Sequence, residues 1–319
     1  MSGPGIEGAA DLPEEVVWRY FDIPLKVPFR GQTSRRGAVV RGPYGWGEWS
    51  PFPGYAGGSR RAGGKAAISS AFGPWPEPVR DWIPVWVTVP AVDPGEAARM
   101  VLRSGCRAAK VKVAEGDDLA RVEAVRDALG PEGRLVVDAN GAWDPGEAVR
   151  RIRELDRYSL DLVEQPVREL SDLAEIRRKV DVPVAADELA SSAEAVEQIV
   201  RAEAADVLVI KVQSLGGVQS ALRAVERAGL PVVVSSLIET SVGTSAGIAL
   251  AAALPELVYP CGLGTVGLLE GDLVADSLVP VEGRIAVRRP EVDPALLERF
   301  AGRGFDRPEQ VAGDQGANR

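Results

Sequence analysis

Five ionisable residues recur at nearly even steps through the middle of the chain, and each ends a short apolar run. They are Lys112, Asp138, Glu164, Asp187 and Lys211, at intervals of 26, 26, 23 and 24 residues. One strand, one helix and two short loops of a βα repeat need a spacing of this size. The pattern therefore predicts parallel strands with a charge at each carboxyl end, the edge where barrel enzymes build their sites.

Eight apolar, β-branched segments alternate with helical patterns, and this alternation predicts an α/β fold with a parallel (β/α) barrel. The predicted strands cover residues 85–92, 108–114, 134–140, 160–166, 183–188, 207–212, 232–237 and 257–262. Asp-Pro-Gly predicts the start of a helix over residues 93–105 and of another over residues 144–155. A serine predicts the start of a third helix, SSAEAVEQIVRA. A doubly wound sheet is the alternative, but no dinucleotide or P-loop motif follows the first strand.

The segments that flank the barrel pattern predict a smaller α+β capping domain. Residues 16–26 and 37–51 alternate apolar and polar side chains, which predicts antiparallel strands joined by a mobile, Arg-rich loop at 30–37. Short strands after residue 273 are expected to fold back onto this sheet. The predicted domains are therefore 1–83 (cap), 84–272 (barrel) and 273–319 (return to the cap), with residues 1–13 and the C-terminal tail disordered.

Composition excludes several classes of function. The chain has 319 residues, a formal net charge of −9 and no histidine, so nucleic-acid binding, His-dependent triads and His-ligated zinc are not expected. Cys106 and Cys261 have no recognisable spacing, which favours buried thiols in a reducing compartment. The start of the chain lacks signal-peptide features, and the apolar stretch at 246–254 is too short to cross a bilayer. We expect a cytoplasmic protein without membrane contacts.

Three carboxylates at adjacent strand ends predict a metal site. Asp138, Glu164 and Asp187 repel one another unless a cation joins them. An all-oxygen acidic site without His or Cys suits Mg²⁺ or Mn²⁺. A helix cap or surface charge is the alternative for each carboxylate taken alone.

The lysines predict a base. Lys110 and Lys112 are two positions apart on one strand, so they share a face, and burial beside a like charge lowers a lysine pKa. Lys211 lies almost opposite them in the predicted barrel. A substrate held between Lys112 and Lys211 beside a divalent cation would lose a proton from a carbon next to a carboxylate. A solvated strand end is the alternative.

These motifs resemble the enolase superfamily and, within it, the muconate-cycloisomerase branch. The resemblance is carried by KVK at 110–112, DAN at 138–140, EQP at 164–166, ADE at 186–188 and IKVQSLGG at 210–217. GWGEWSPFPGY at 45–55 resembles the capping domain of that branch. The fold implied is a modified TIM barrel of the (β/α)7β type with a small capping domain made from both ends of the chain.

The resemblance also implies a role for each residue. Asp138, Glu164 and Asp187 are the implied ligands of Mg²⁺, with Mn²⁺ as an alternative. The implied base is Lys112, opposed by Lys211 as a second acid/base or a stabilising charge, with Lys110 in support. Asn140 and Glu188 are the implied residues that orient these groups, while Ser235, Gly262 and Gly264 are expected near the substrate. A substrate anion is expected to meet Arg30, Arg35 or Arg36, or backbone N–H groups near the two glycines.

The reaction implied depends on a further motif. SSLIETS at 235–241 resembles o-succinylbenzoate synthases and N-acylamino-acid racemases of the same branch, and the GLGT sequence at 262–265 lacks the Asp-x-Asp motif of dipeptide epimerases. Dehydration of a cyclohexadiene carboxylate towards menaquinone is thus the first expectation. Racemisation of N-acyl (N-succinyl) amino acids is the alternative, and a barrel that binds a small anion without turnover is the third. The expected partner is a small-molecule carboxylate, and the oligomeric state is left open.

Overall fold

The computed structural model describes residues 16–52 and 57–302, without the side chains of 57–59. The segments predicted to be disordered, 1–13 and the C-terminal tail, lie outside the described residues. Among the described helices, none is long and apolar enough to cross a membrane.

An antiparallel sheet of β1 (Trp18–Phe29), β2 (Gln32–Gly42) and β3 (Gly45–Trp49) opens the described part of the chain. The prediction of a mobile loop at 30–37 is wrong, because β2 begins at Gln32. Arg30 and Gly31 both have positive φ angles, 49° and 73°, which matches the two-residue turn that suits the twist of a hairpin. The tip of this hairpin therefore has a defined turn between two long strands.

Helix α1 (Gly57–Phe72) covers one face of this sheet. Ala67 and Ala71 of the helix share an apolar cluster with Ala38 and Trp49 of the sheet. A Cβ atom on Gly47 would lie 1.9 Å from the Ala67 carbonyl oxygen, so glycine is required for this close approach.

A curled sheet of parallel strands forms the body of the fold. The remaining strands are β4 (Trp82–Pro84), β5 (Val87–Val89), β6 (Ala108–Lys112), β7 (Arg134–Asp138), β8 (Leu162–Glu164), β9 (Val184–Ala186), β10 (Val207–Lys211), β11 (Val232–Ser235) and β12 (Arg284–Ala286). The remaining helices are α2 (Pro94–Ser104), α3 (Asp118–Leu129), α4 (Pro145–Leu155), α5 (Leu170–Arg177), α6 (Ala193–Arg201), α7 (Val218–Ala228), α8 (Ser241–Ala253) and α9 (Pro294–Arg299). In the described ranges, β5 to β11 pair in chain order as a seven-stranded sheet.

The eighth predicted strand, 257–262, is wrong for most of its length. Within the described residues, Cys261 and Gly262 alone of that segment form parallel β-bridges, to Val85 and Ser235 respectively. Pro260 has no N–H group to donate, which limits strand pairing just before the bridge. The bridge still links β11 to the segment just before β5, because Cys261 N donates to the Pro84 carbonyl at 2.8 Å and Gly262 N to the Val234 carbonyl at 2.8 Å.

The predicted helix starts are confirmed. Asp93 caps α2 by accepting from Glu96 N at 3.0 Å, and Asp144 caps α4 by accepting from Glu147 N at 2.8 Å. Gly105 ends α2 in the left-handed conformation with φ 64°. These caps fix where each helix leaves the strand before it, and so fix the loops at the carboxyl edge of the sheet.

The C-terminal segment returns to the N-terminal sheet by a different route from the one expected. Its described strand, β12, pairs antiparallel with β4 and not with the three-stranded sheet. Contact with that sheet comes from coil and α9, where Leu273 and Leu297 share an apolar cluster with Phe21, and Ala301 forms an antiparallel bridge with Phe21. The domain limits at residues 83 and 272 stay a prediction.

The main core lies between the helices and the sheet, and a second apolar cluster fills the inside of the curled sheet. Ala108 belongs to the inner cluster, while Ala109 and Val111 belong to the outer core. Because side chains alternate along a strand, Lys110 and Lys112 point inwards with Ala108, above the apolar filling.

Candidate active site

Strand register places the predicted charges side by side. Lys112 is the direct partner of Asp138 across β6 and β7, and Asp138 is the partner of Glu164 across β7 and β8. Asp187 follows the last residue of β9, and Lys211 ends β10. All five residues therefore lie at the carboxyl edge of the same sheet, as the sequence pattern predicts.

Two lysines and two carboxylates form one buried cluster. Lys110 Nζ lies 2.7 Å from Glu164 Oε1 and 3.2 Å from Asp138 Oδ2. Lys112 Nζ lies 2.5 Å from the same Asp138 oxygen and donates to Asn140 Oδ1 at 2.7 Å. Charges held out of water in this way need such partners, because an unpaired buried charge is costly.

A second pair and a polar chain extend the cluster. Lys211 Nζ donates to Asp187 Oδ1. Asn140 Nδ2 donates to Glu188 Oε1 at 3.0 Å, and the same Glu188 oxygen lies 3.0 Å from the Arg30 guanidinium. Asn140 and Glu188 thus connect Lys112 to the hairpin of the N-terminal sheet.

Burial and neighbouring charges shift the pKa values of this cluster in opposite directions. Burial raises the pKa of Asp138, but the Lys112 and Lys110 ammonium groups outweigh it and hold that pKa well below its ordinary range. Burial and the Asp138 carboxylate raise the pKa of Glu164 well above its ordinary value. Burial, with the Lys110 ammonium, lowers the pKa of Lys112 although Asp138 opposes the shift. A lowered lysine pKa is what a lysine base requires near neutral pH.

A pocket open to solvent lies directly above the charged cluster. Its lining residues among those described are Phe29, Arg30, Phe52, Thr88, Lys110, Lys112, Asp187, Lys211, Ser235, Ser236, Leu237, Ile238, Gly262 and Thr265. Lys112 and Lys211, four strands apart in the sheet, face this one pocket.

The predicted substrate contacts are partly brought together. Ser235 and Gly262 line the pocket, whereas Gly264 is absent from the described lining residues. The Gly262 N–H donates to the Val234 carbonyl, so it serves the sheet and not a substrate anion.

The three candidate arginines lie in different places. Arg30 lines the pocket beside Glu188. Arg35 is buried and donates to the carbonyls of Ile238 and Ser50, and Arg36 pairs with Asp22 on the exposed side of the hairpin. Alternation along β2 explains why neighbouring arginines have such different surroundings.

Several pocket residues are absent from the sequence-based set. Thr88 pairs with Lys110 in the sheet and is a lone polar residue in the apolar run VWVTVP, a signal that points to a site-facing position. Phe29 ends β1 and Phe52 follows β3, and only tertiary contact brings them to the pocket that Lys112 and Asp187 also line. No local sequence pattern predicts that these two residues line the pocket.

The acidic side chains have the chemistry of a Mg²⁺ site, although the described residues contain no group of three acidic side chains already converged as one. Asp138, Glu164 and Asp187 supply oxygen donors from three adjacent strand ends. The buried Glu164 Oε2 has no hydrogen-bond partner among the described residues, which suits an oxygen that faces a cation. The three carboxylates therefore fit a Mg²⁺ ion, and their roles as its ligands stay a prediction.

Two regions of the chain match models of known protein families. Residues 94–292 match the model of enolase C-terminal domain-like proteins, and residues 20–71 match enolase N-terminal domain-like proteins. The muconate lactonizing enzyme of Pseudomonas fluorescens has a similar fold, with a TM-score of 0.81 at 24% identity over 91% of this chain and 99% of that one.

Three sequence relatives from other organisms share one description. An o-succinylbenzoate synthase of Thermobifida fusca is 57% identical over 88% of this chain and 90% of its own length. One from Mycobacterium tuberculosis is 46% identical over 86% of each chain, and one from Mycobacterium ulcerans is 43% identical over 95% and 93%.

Proposed function

Because the chain belongs to the enolase superfamily, we propose that it catalyses the reaction of o-succinylbenzoate synthases. The substrate would be 2-succinyl-6-hydroxy-2,4-cyclohexadiene-1-carboxylate, which loses water to give an aromatic product on the route to menaquinone. The observation that carries the proposal is the placement of Lys112 and Lys211 in one pocket above three acidic strand ends. The 57% identity to a synthase over most of both chains supports this choice of substrate.

We further infer that the sheet is the barrel of a (β/α)7β fold. Seven parallel strands lie in chain order within the described residues, and Cys261 and Gly262 connect the last strand to the segment before β5. A closed barrel places Lys112 and Lys211 on opposite sides of the substrate, as the reaction needs.

Mg²⁺ would be held by Asp138, Glu164 and Asp187, with Mn²⁺ as the alternative. When bound, it supplies positive charge that makes the proton beside the substrate carboxylate easier to remove. Lys110, whose ammonium contacts Asp138 and Glu164, would limit the net negative charge of the ligand set.

Lys112 would act as the base. Its neutral amine takes the proton from the ring carbon that bears the carboxylate, and that C–H electron pair becomes the double bond of an enediolate. The C–O bond to the hydroxyl then breaks, and Lys112 returns its proton on the same face, so that water leaves. Lys211 would stabilise the enediolate from the opposite side, and burial of both lysines strengthens these charge effects.

The deciding test is product formation by the purified protein. With Mg²⁺, the wild-type protein should convert the hydroxy-cyclohexadiene carboxylate to o-succinylbenzoate. Lys112→Ala should reduce kcat by roughly 10²–10⁴-fold, the contribution typical of a positioned base. Lys179→Ala is a matched control, since Lys179, just after α5, forms an exposed ion pair with Glu175. Absence of product beside an active control synthase would rule the proposal out.

Racemisation of N-succinyl amino acids is a second candidate, favoured by the two lysines that line the same pocket. A racemase needs both as acid and base, whereas the dehydration needs proton transfer on one face. Incubation of an N-succinyl amino acid in deuterium oxide separates the two. Exchange at the α-carbon of both enantiomers, with one direction lost in each lysine variant, would establish racemisation.

A further inference from the structure

Residues 235–240, here called the wall loop, run from the last residue of β11 to the start of α8 and form one side of the pocket. Ser235, Ser236, Leu237 and Ile238 all line it. Ile238 has φ 58°, a left-handed conformation that a β-branched residue rarely adopts. Such strain persists only where the surroundings hold the backbone in place.

Helix α8, which follows the wall loop, has a buried N-terminus whose first N–H groups are capped by different parts of the chain. Ser241 N donates to Asp272 Oδ1 at 3.0 Å, and Val242 N donates to Thr240 Oγ1 at 3.2 Å. Gly243 N donates at 2.9 Å to Glu48 Oε2, an oxygen from β3 of the N-terminal sheet. The N-terminal sheet thus supplies part of the cap of this helix.

The Glu48 carboxylate is tied closely to the wall loop. It is fully buried and also accepts from Thr240 N at 3.2 Å, from Thr240 Oγ1 and from Ser50 Oγ at 2.6 Å. Burial raises the pKa of Glu48 to about 7, with Glu239 adding to the shift, so measurements at about pH 8 observe the ionised group.

Arg35 holds the strained residue itself. Its Nε donates to the Ile238 carbonyl at 3.2 Å, and its Nη2 donates to the Ser50 carbonyl at 2.6 Å. Its guanidinium also lies 4.7 Å from the centre of the Phe52 ring, which lines the pocket. One side chain of β2 therefore connects the wall loop to the segment after β3.

We propose that Glu48 and Arg35 are positioning residues through which the N-terminal sheet holds the wall loop, and so set the affinity for substrate. Neither is among the described residues that line the pocket. The effect on affinity rests on the proposed function, whereas the effect on the loop does not.

Two variants and a control test this role at about pH 8. Glu48→Gln keeps the shape of the side chain but turns an NH₂ group towards one of the backbone donors. Arg35→Lys keeps the charge but loses the forked donors. Asp93→Asn is the control, because Asp93 caps α2 at an exposed position. Amide hydrogen exchange of residues 236–243 and steady-state kinetics are measured for each protein.

Both variants should exchange the amides of residues 236–243 at least about tenfold faster, with KM raised about fivefold or more and kcat within about twofold. The control should change neither quantity. Unchanged amide exchange in both variants would show that Glu48 and Arg35 do not hold the wall loop. Faster exchange with unchanged KM, or a loss confined to kcat, would overturn the role in substrate affinity. If the wild type forms no o-succinylbenzoate, the proposed function fails. Amide exchange still decides whether Glu48 and Arg35 hold the wall loop.

Discussion

Lys112 and Asp138 are register partners on neighbouring parallel strands, and Lys112 Nζ lies 2.5 Å from Asp138 Oδ2. One carboxylate thereby fixes the position of the amine that is proposed to take the proton. Lys110 approaches the same oxygen to 3.2 Å from the same strand face. Lys112, the proposed base, therefore lies beside a like charge and an opposite charge at once, and its protonation depends on both.

Removal of the like charge should make Lys112 harder to deprotonate. Burial and the Lys110 ammonium lower the pKa of Lys112, and the base must be neutral, so kcat should rise with pH through that lowered pKa. In Lys110→Met the repulsion is gone, the pKa of Lys112 rises, and the ascending limb of the kcat profile should move to higher pH. Profiles of the wild type, Lys110→Met and the surface control Lys179→Met check this. A limb that stays in place or moves to lower pH would contradict it.

A methyl group at position 262 should damage the pocket. A Cβ on Gly262 would lie 2.5 Å from Ser235 Oγ and 3.3 Å from the Trp86 ring, so Ser235 must turn away from its place in the lining. A misplaced pocket group of this kind costs roughly tenfold to a hundredfold in kcat/KM.

Gly267→Ala provides the matched control for Gly262→Ala, because a Cβ on Gly267 meets nothing within 4 Å. Kinetics of both variants with the same substrate give the comparison. Equal activity in the two variants would show that the Ser235 position does not matter.

The repeat spacing was sufficient to predict the charged cluster, for a physical reason. Parallel strands in register bring residues one βα unit apart into contact, so Lys112, Asp138 and Glu164 become neighbours without any long-range information. The helix starts at Asp93 and Asp144 were predictable because a cap is a local hydrogen bond.

The rest of the site depends on contacts that no local pattern contains. Arg35 looks like a solvated loop residue in sequence, yet its acceptor is the carbonyl of Ile238, 203 residues away. Glu48 likewise caps a helix almost 200 residues later in the chain. The hairpin turn at Arg30 was missed because a polar, Arg-rich strand lacks the apolar alternation that identifies most strands.

Both cysteines should be inert in the folded protein. Burial raises the pKa of Cys261 to about 12 and also raises the pKa of Cys106, and the thiolate is the reactive form. Relative to an ordinary thiol, Cys261 then has roughly a thousandfold less thiolate near neutral pH. Alkylation by iodoacetamide, followed by peptide mass spectrometry, should modify neither residue in the native protein and both after unfolding. Rapid native modification of Cys261 would contradict its burial.

Arg121 should be important for stability because it ties together the backbone around Lys112. Its buried guanidinium donates to the carbonyls of Val92, Lys112 and Glu115 at 2.7, 2.8 and 2.9 Å. Each lost bond costs about 1 kcal/mol, so Arg121→Met should lower the free energy of unfolding by about 3 kcal/mol.

The measurement is the free energy of unfolding by denaturant, compared between Arg121→Met and the control Arg201→Met. Arg201 forms an exposed pair with Glu197 on α6, and loss of such a pair should cost less than about 1 kcal/mol. The carbonyl held by Arg121 belongs to Lys112 itself, so the proposed base should also lose its fixed position. We therefore expect Arg121→Met to lower kcat even under conditions where the variant is fully folded. Normal kcat together with the stability loss would restrict Arg121 to a purely structural role.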